Sequence, residues 1–367
     1  MTEEIVYLDA KTLESFMKDV FIGLGVPDDD AKIIANVLIT SDLRGIDSHG
    51  IQRLKMYYDR IKEGIYEVNT KIDIIKDGPT TAVWDGNCGM GHPIAYKAMQ
   101  TAIQKAKKYG LGAVAVRNST HFGIAGYYSL MAIKEGMIGL AVTNARPSIP
   151  PTFGVEPMLG TNPLTIGAPT DEQFPFLIDC ATSIIQRGKV ELYSRINKPM
   201  PENTVINDQG EIITDPNEIL SEMLERKAAL LPLGGKGEET SGYKGYGYAT
   251  VVELLSAALQ NGIFLRDTLG IEENGQKRLK VGHFFLAINT EAFIGLNSFQ
   301  KSAGDIMRGL RSAKLDPKAE KIYTAGEKEY IAEEKRKSSG IALNKSLQND
   351  IKVMQKELGL IEYNFTF

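Results

Sequence analysis

Apolar residues recur at helical spacing through the first sixty residues of the chain. Residues 9–24 and 28–43 read as two amphipathic helices. In the second, Ile33, Ile34, Val37, Leu38 and Leu43 mark one face. Asp28, Asp29 and Asp30 supply its cap and the negative charge of its first turn. Gly45 suits its end. Asp47 or Ser48 caps a third helix running to about Lys62, with Leu54, Tyr57, Tyr58 and Ile61 as its apolar positions and Gly64 as its stop. The pattern then changes. Residues 72–76 and 80–85 read as strands, and 91–110 as a helix with Ile94, Ala95, Ala98, Met99, Ala102, Ile103 and Ala106 on one side. Residues 112–117 form a strand running into the loop NSTHFG at 118–123. A helix over 124–134 and a strand over 138–144 follow.

Residues 145–160 are rich in proline and glycine and read as a long surface loop. Strands are expected at 164–168 and 174–179. The polar stretch 197–218 carries three prolines and reads as an excursion rather than a core element. A loop with six glycines, 234–247, opens a helix at 248–259. A buried-type strand at 282–289 and helices at 299–313 and 345–358 complete the chain. Helices, then alternating strands and helices, then helices again describe an α/β (α+β) body with a helical domain built from the chain ends.

Composition narrows the function. The chain has 367 residues, 43% hydrophobic and 24% charged, enough for two domains and a sizeable core. A net charge of -4 gives no footprint for nucleic acid or an anionic membrane. No apolar run approaches a membrane span, and MTEEIVYLDAKTLESF has neither basic nor apolar leader character. Cys88 and Cys180 make no disulfide framework, so a reducing, cytoplasmic setting is expected. The sequence has no G-x-G-x-x-G, no P-loop, no H-E-x-x-H and no G-x-S-x-G. Its four histidines and two cysteines form no recognisable metal pattern.

Two stretches carry candidate chemistry. SDLRGIDSHGIQR (41–53) places His49 and Arg53 four residues apart, on one face of the expected helix. A histidine titrating near neutrality moves protons, and an arginine fork holds a carboxylate. The same spacing also describes an ordinary pair on a helix surface. Ser48 is a poor nucleophile for His49, because helical neighbours point about 100° apart. It reads instead as a cap or an orienter. His121 lies between a strand and a helix whose small first residues, Gly123 and Ala125, leave backbone N–H groups for a phosphate. The 234–247 loop, with Lys236 and Lys244, is a second anion candidate. Asp179-Cys180-Ala181 sits at a strand's C-terminal end, where ligands gather in α/β folds. His283 reads as structural, and His92 as a helix-start residue with no special role.

Taken in order, DLRGIDSHGIQR, RNSTHFGIAGYYS, LGTNP, DCATS with RGK at 187–189, LPLGG, the K-G-Y-G helix start and GHFFLAIN resemble the type-2 malate/L-lactate dehydrogenase family. That family includes malate, sulfolactate, ureidoglycolate and diketogulonate dehydrogenases or reductases, and cyclic-imine reductases. The resemblance covers nearly the whole chain. It implies a non-Rossmann α/β domain binding NAD or NADP, a mainly helical domain from both chain ends, and a homodimer. Residues 1–70 with about 300–367 would form the helical domain. Residues 71–300 would bind nucleotide and substrate, with a loop-rich insertion at 145–235. By similarity, His49 or His121 is the proton donor, with Ser48 beside them in the catalytic group. Arg53 holds the substrate carboxylate, near Thr161, Arg187 and Gly188. Cofactor contacts fall to His121, Phe122, Gly123, Ile124, Ala125, Asp179, Cys180, Ala181, Gly234 and Gly235, with a late loop at 323–328. The implied reaction interconverts a 2-hydroxy and a 2-oxo acid, malate and oxaloacetate first. L-lactate, sulfolactate and cyclic imino acids are alternative substrates. A non-catalytic dinucleotide sensor is the alternative from another class.

Overall fold

The computed structural model describes residues 5–365 and 367. The chain begins with β1 (Val6–Leu8), α1 (Ala10–Gly23) and α2 (Asp28–Leu43). Two single 3-10 turns, Asp47–His49 and Ile51–Arg53, lead into α3 (Leu54–Lys62). The central part runs β2 (Asp73–Asp77), β3 (Thr81–Asp85), α4 (Gly91–Tyr109), β4 (Leu111–Ser119), α5 (Gly126–Lys134), β5 (Met137–Thr143), β6 (Leu164–Ala168) and β7 (Phe176–Cys180). Then come α6 (Arg187–Arg195), β8 (Val205–Asn207), α7 (Pro216–Glu225), β9 (Ala228–Leu230) and α8 (Gly242–Ala257). The last part is β10 (Ile271–Glu273), β11 (Gln276–Arg278), β12 (Val281–Asn289), α9 (Leu296–Arg311), α10 (Glu327–Ser339), β13 (Ile341–Leu343) and α11 (Lys345–Leu358).

A seven-stranded mixed sheet, in the order β2-β3-β4-β12-β5-β6-β7, is the spine. Only β3 and β4 run parallel, joined through α4; the other neighbours are antiparallel. The late strand β12 enters the middle of the sheet, between β4 and β5. Both neighbours run antiparallel to it, so β4 and β5 finish, at Ser119 and Thr143, beside the same end of β12. Ala98, Ala102 and Ala106 of α4 and Ala132 of α5 are fully buried with Phe285 and Ala287 of β12. Alanines there let helix and sheet approach closely. At Gly112 even a Cβ would meet the α4 backbone.

The two chain ends share a second core. Leu13, Phe16, Val20, Ile34, Leu38, Leu54 and Tyr57 pack with Ile341, Leu343, Ile351 and Met354. β1 pairs antiparallel with β13, which ties the termini together. A third cluster, around Val190, Met200, Val205, Ile219 and Leu230, lies in the 185–230 stretch. The expected polar excursion therefore has a small core of its own, with the two-stranded β8–β9 sheet inside it.

Other expectations change. The residue capping α2 is Pro27, with no side-chain cap. Asp28, Asp29 and Asp30 lie in the first turn, where they face the helix dipole. Helix α8 begins at Gly242, six positions before the expected start, and α10 was not anticipated. No helix among the described residues is long and apolar enough to cross a membrane.

Candidate active site

The site is organised by a break in the chain after α2. The expected third helix does not start at Asp47. It is interrupted at Gly50, whose φ of -93° and ψ of -137° are not helical. The cause is Asp42, a buried residue of α2. Its Oδ2 accepts from the Ile51 amide at 2.8 Å. A Cβ at position 50 would fall on the same carboxylate. Burial raises the Asp42 pKa well above the ordinary carboxylate value. Ser41 Oγ donates to Ile46 O at 2.7 Å, and Arg336 from α10 donates to Asp42 O at 2.5 Å while pairing with Asp47. Tertiary contacts thus hold a tight turn where local pattern predicts helix.

That turn changes how Ser48, His49 and Arg53 meet. Ser48 Oγ lies 2.8 Å from His49 Nδ1, so the neighbours do face each other. Arg53 Nε donates to Ser48 O at 2.6 Å. The three form one unit, with His49 Nε2 and the terminal nitrogens of Arg53 left outside it. Burial, then the Arg53 charge, lower the His49 pKa to about 4.

His121 comes from the opposite wall, just beyond β4. Its ring stacks near that of His49, with centroids 5.7 Å apart and planes 24° apart. The Tyr57 hydroxyl lies 2.5 Å from His121 Nδ1. Burial keeps the Tyr57 phenol protonated far above neutral pH. Burial first, then His49, push the His121 pKa well down. Both cleft imidazoles are therefore neutral at pH 7, each with one ring nitrogen tied to a hydroxyl.

Guanidinium groups surround this pair. Gly188, at the start of α6, leaves room against Ser48; a Cβ there would sit 4.0 Å from Ser48 Cβ. Arg187 lies beside it and pairs with Glu191 at 3.0 Å. Arg60 donates to the Tyr66 hydroxyl and lies 5.4 Å from that ring's centroid. Arg146, just past β5, feels Arg60, Arg187 and Arg53 as like charges. Sequence reasoning missed Tyr57, Tyr66, Arg60 and Arg146. Tyr57 is indistinguishable from a core position by spacing, and Arg146 lies in the proline-rich loop.

Three motif stretches meet in a backbone ladder. Thr182 N donates to Thr161 O at 2.9 Å, and Leu233 N donates to Thr182 O at 2.9 Å. Asn162 is fully buried and reaches Ala145 N, Ala249 O and Glu253. Cys180 is half-buried, with Sγ 3.9 Å from Leu164 O, and Ala181 is buried. Gly234 and Gly235 have positive φ, and their nearest neighbours are Ser241 and Asn203 rather than the histidines. Gly234 and Gly235 are thus packed closely, while Lys236, Glu238, Glu239 and Thr240 are exposed.

At the start of α5, expected to meet a phosphate, one N–H group is already engaged. Gly126 N donates to Asp179 Oδ2 at 2.7 Å, and Asp179 Oδ1 accepts from Thr165 at 2.8 Å. A buried carboxylate already occupies that helix start. Phe122 turns into the core, stacked on His283 at 4.4 Å, while Gly123, Ile124 and Ala125 are buried around it. Helix α8 differs: Ser241 gives it no side-chain cap, and its first turn holds no acid.

His283 is structural, as expected. Its Nδ1 meets Thr143 Oγ1 at 2.8 Å and its Nε2 meets Ser119 Oγ at 2.7 Å. His92 is fully buried, edge-on to Tyr57 at 4.9 Å. Among the described residues no group of three or more His, Cys, Asp or Glu is placed to hold a metal. An apolar cavity of about 510 Å³ lies elsewhere, between Met158, Leu159 and the Tyr246–Ala258 side of α8. Size alone does not mark the chemistry here.

The family model for malate/L-lactate dehydrogenase matches residues 8–352. The chain is 43% identical to the malate dehydrogenase of Pyrococcus abyssi over 358 residues, 98% of this chain and 96% of that protein. It is 39% identical to the L-sulfolactate dehydrogenase of Methanocaldococcus jannaschii over 344 residues, 93% and 94% of the two chains. The crystal structure of malate dehydrogenase from Entamoeba histolytica matches the fold with a TM-score of 0.94 at 44% identity, covering 99% of this chain and 100% of that one.

Proposed function

The chain belongs to the malate/L-lactate dehydrogenase family and is a hydroxy-acid dehydrogenase using a nicotinamide dinucleotide; on that premise we propose that it interconverts malate and oxaloacetate. The observation that carries this reading is the stacked His49–His121 pair beside Arg53, whose guanidinium has no carboxylate partner among the described residues.

Arg53 binds the C1 carboxylate through its terminal nitrogens, since Ser48 O fixes its Nε. The Ser48–His49–Arg53 unit works as the substrate clamp. His121 moves the proton at the C2 oxygen through Nε2. Tyr57 supports it in either protonation state, because a phenol both donates and accepts. In the oxidative direction the neutral imidazole is already the base. In the reductive direction the substrate anion offsets the arginine charge and so draws a proton onto the ring.

A nicotinamide dinucleotide, when bound, would supply the hydride chemistry at C2. The residues present fit a dinucleotide placed outside a Rossmann arrangement. The sheet has one parallel pair instead of a doubly wound set. The first turn of α8, beside Gly234 and Gly235, has no side-chain cap and no acid, so its start would suit a phosphate. The His121 loop would hold the nicotinamide end.

The test is a panel of oxaloacetate, pyruvate, sulfopyruvate and a cyclic imino acid, run with NADH and NADPH in parallel. Oxaloacetate should give the highest kcat/KM. A preference for the imine would replace this reading with C=N reduction. Intact nucleotide binding without oxidation on any substrate would replace it with a sensor.

A further inference from the structure

Four guanidinium groups converge on the cleft, and one substrate carboxylate engages one of them. Arg53 is set by Ser48 for that role. Arg60 is committed to the hydroxyl and ring of Tyr66, and Arg187 to Glu191. Arg146 is different. Among the described residues its guanidinium has no hydrogen-bond or ion-pair partner, and the residue is exposed to solvent.

Its position is nevertheless built. Asn144 Nδ2 reaches Glu253 at 3.2 Å and Ile263 O at 3.0 Å, and Asn144 Oδ1 accepts from Gly282 N at 2.8 Å. Ala145 N donates to Asn162 Oδ1 at 3.1 Å, and Ala145 O accepts from Thr268 at 3.2 Å. A Cβ at Gly160 would strike Ala145 O. The two residues before Arg146 are thus pinned, and its guanidinium feels the like charges of Arg60, Arg187 and Arg53. Such an arrangement suits an anion held at a fixed distance from the first.

We infer that Arg146 is the receptor for a second anionic group on the substrate, a carboxylate or a sulfonate, and so sets the preference for doubly charged 2-oxo acids. Arg60, held on Tyr66, adds fixed positive charge. This inference rests on the dehydrogenase reading above for the identity of C1 and its Arg53 anchor.

The experiment compares wild type, Arg146→Gln and Arg146→Lys on oxaloacetate, sulfopyruvate and pyruvate. Arg146→Gln should lower kcat/KM for both dianions about a hundredfold, and change pyruvate by less than about threefold. Arg146→Lys should fall between, since charge remains and the fork is lost. An equal loss on all three substrates, or no loss on any, overturns the inference. Calorimetric binding of succinate and butyrate to the nucleotide-loaded protein separates the two readings. If succinate binding weakens in Arg146→Gln and butyrate binding does not, the second-anion site stands even if wild type turns over no 2-oxo acid, and the dehydrogenase reading alone fails. If succinate binds both proteins equally, the Arg146 assignment is wrong whatever the turnover.

Discussion

The histidine of the sheet interior and the two of the cleft differ in one respect that decides their roles. His283, in β12, spends both ring nitrogens on hydroxyls of β4 and β5 and lies flat on Phe122. His49 and His121 each spend one nitrogen, on Ser48 and Tyr57. All three have lowered pKa values, with burial the largest cause. A shifted pKa therefore does not separate chemistry from architecture in this protein. An unspent ring nitrogen that is not itself buried does; His92, with both nitrogens buried and unpartnered, stays with the architecture. A saturated imidazole is a crosslink between strands; a half-saturated one is oriented and still able to exchange a proton with a ligand.

The sharpest way to break that comparison is to remove the proton-carrying nitrogen. His121→Asn should lower kcat by about 10²- to 10⁴-fold, with a nearly unchanged urea midpoint and intact nucleotide binding. His49→Asn should act mainly on KM, because it loosens the clamp that carries Arg53. If His49→Asn gave the larger loss in kcat and His121→Asn the larger rise in KM, the two roles would be exchanged.

The second test acts on the sheet. His283→Ala strands the Ser119 hydroxyl, takes one partner from the Thr143 hydroxyl, which keeps Gly282 O, and removes the face stacked on Phe122. It should cost about 2–4 kcal/mol of stability, read from chemical denaturation. The folded fraction should keep kcat within about threefold. A stability loss in His121→Asn as large as that in His283→Ala would erase the distinction between the two regions.

Much of this was legible in the residues, for reasons that are local. Helices α1, α2, α4 and α11 show their apolar faces at helical spacing, and they pack as that spacing demands. His49, Arg53 and His121 stand in motif stretches whose order along the chain carries the resemblance. What stayed hidden depends on residues distant in sequence. The break at Gly50 comes from the Asp42 carboxylate and is held by Arg336 from α10, almost three hundred residues later. Tyr57 sits at an apolar helical position, and only its hydroxyl against His121 gives it a second role. Helix α10, EKEYIAEEKRKSS, buries little of itself, so it lacks the apolar stripe that announces a helix. Helix α8 begins inside a glycine-rich stretch that reads as loop, because Gly242 and Gly245 are there to let backbone pass close to Gly235 and Leu233. Arg146 owes its place to hydrogen bonds made by Asn144 and Ala145.

The smallest expected effect is on acid stability, and it sharpens the comparison most finely. In the unfolded chain a histidine takes up its proton near pH 6.5. In the folded chain burial holds His283 and His92 down to about 3 and His49 to about 4. Between these limits the unfolded state binds more protons, so stability is fully present above pH 6.5 and falls as pH falls toward 4. Each fully buried imidazole contributes about 1.4 kcal/mol per pH unit within that window. His283→Ala should therefore flatten the decline between pH 6 and 5 by about one proton's worth, measured from urea denaturation at each pH. His121→Asn should flatten it too, because burial also holds the folded His121 pKa well below its free value. Adding a dicarboxylate such as succinate should raise the protonation of the cleft histidines and leave His283 unaffected, so the ligand should reduce the decline in wild type and in His283→Ala alike. A ligand effect that vanished with His283 would place the titrating group in the sheet and undo the division between the two regions.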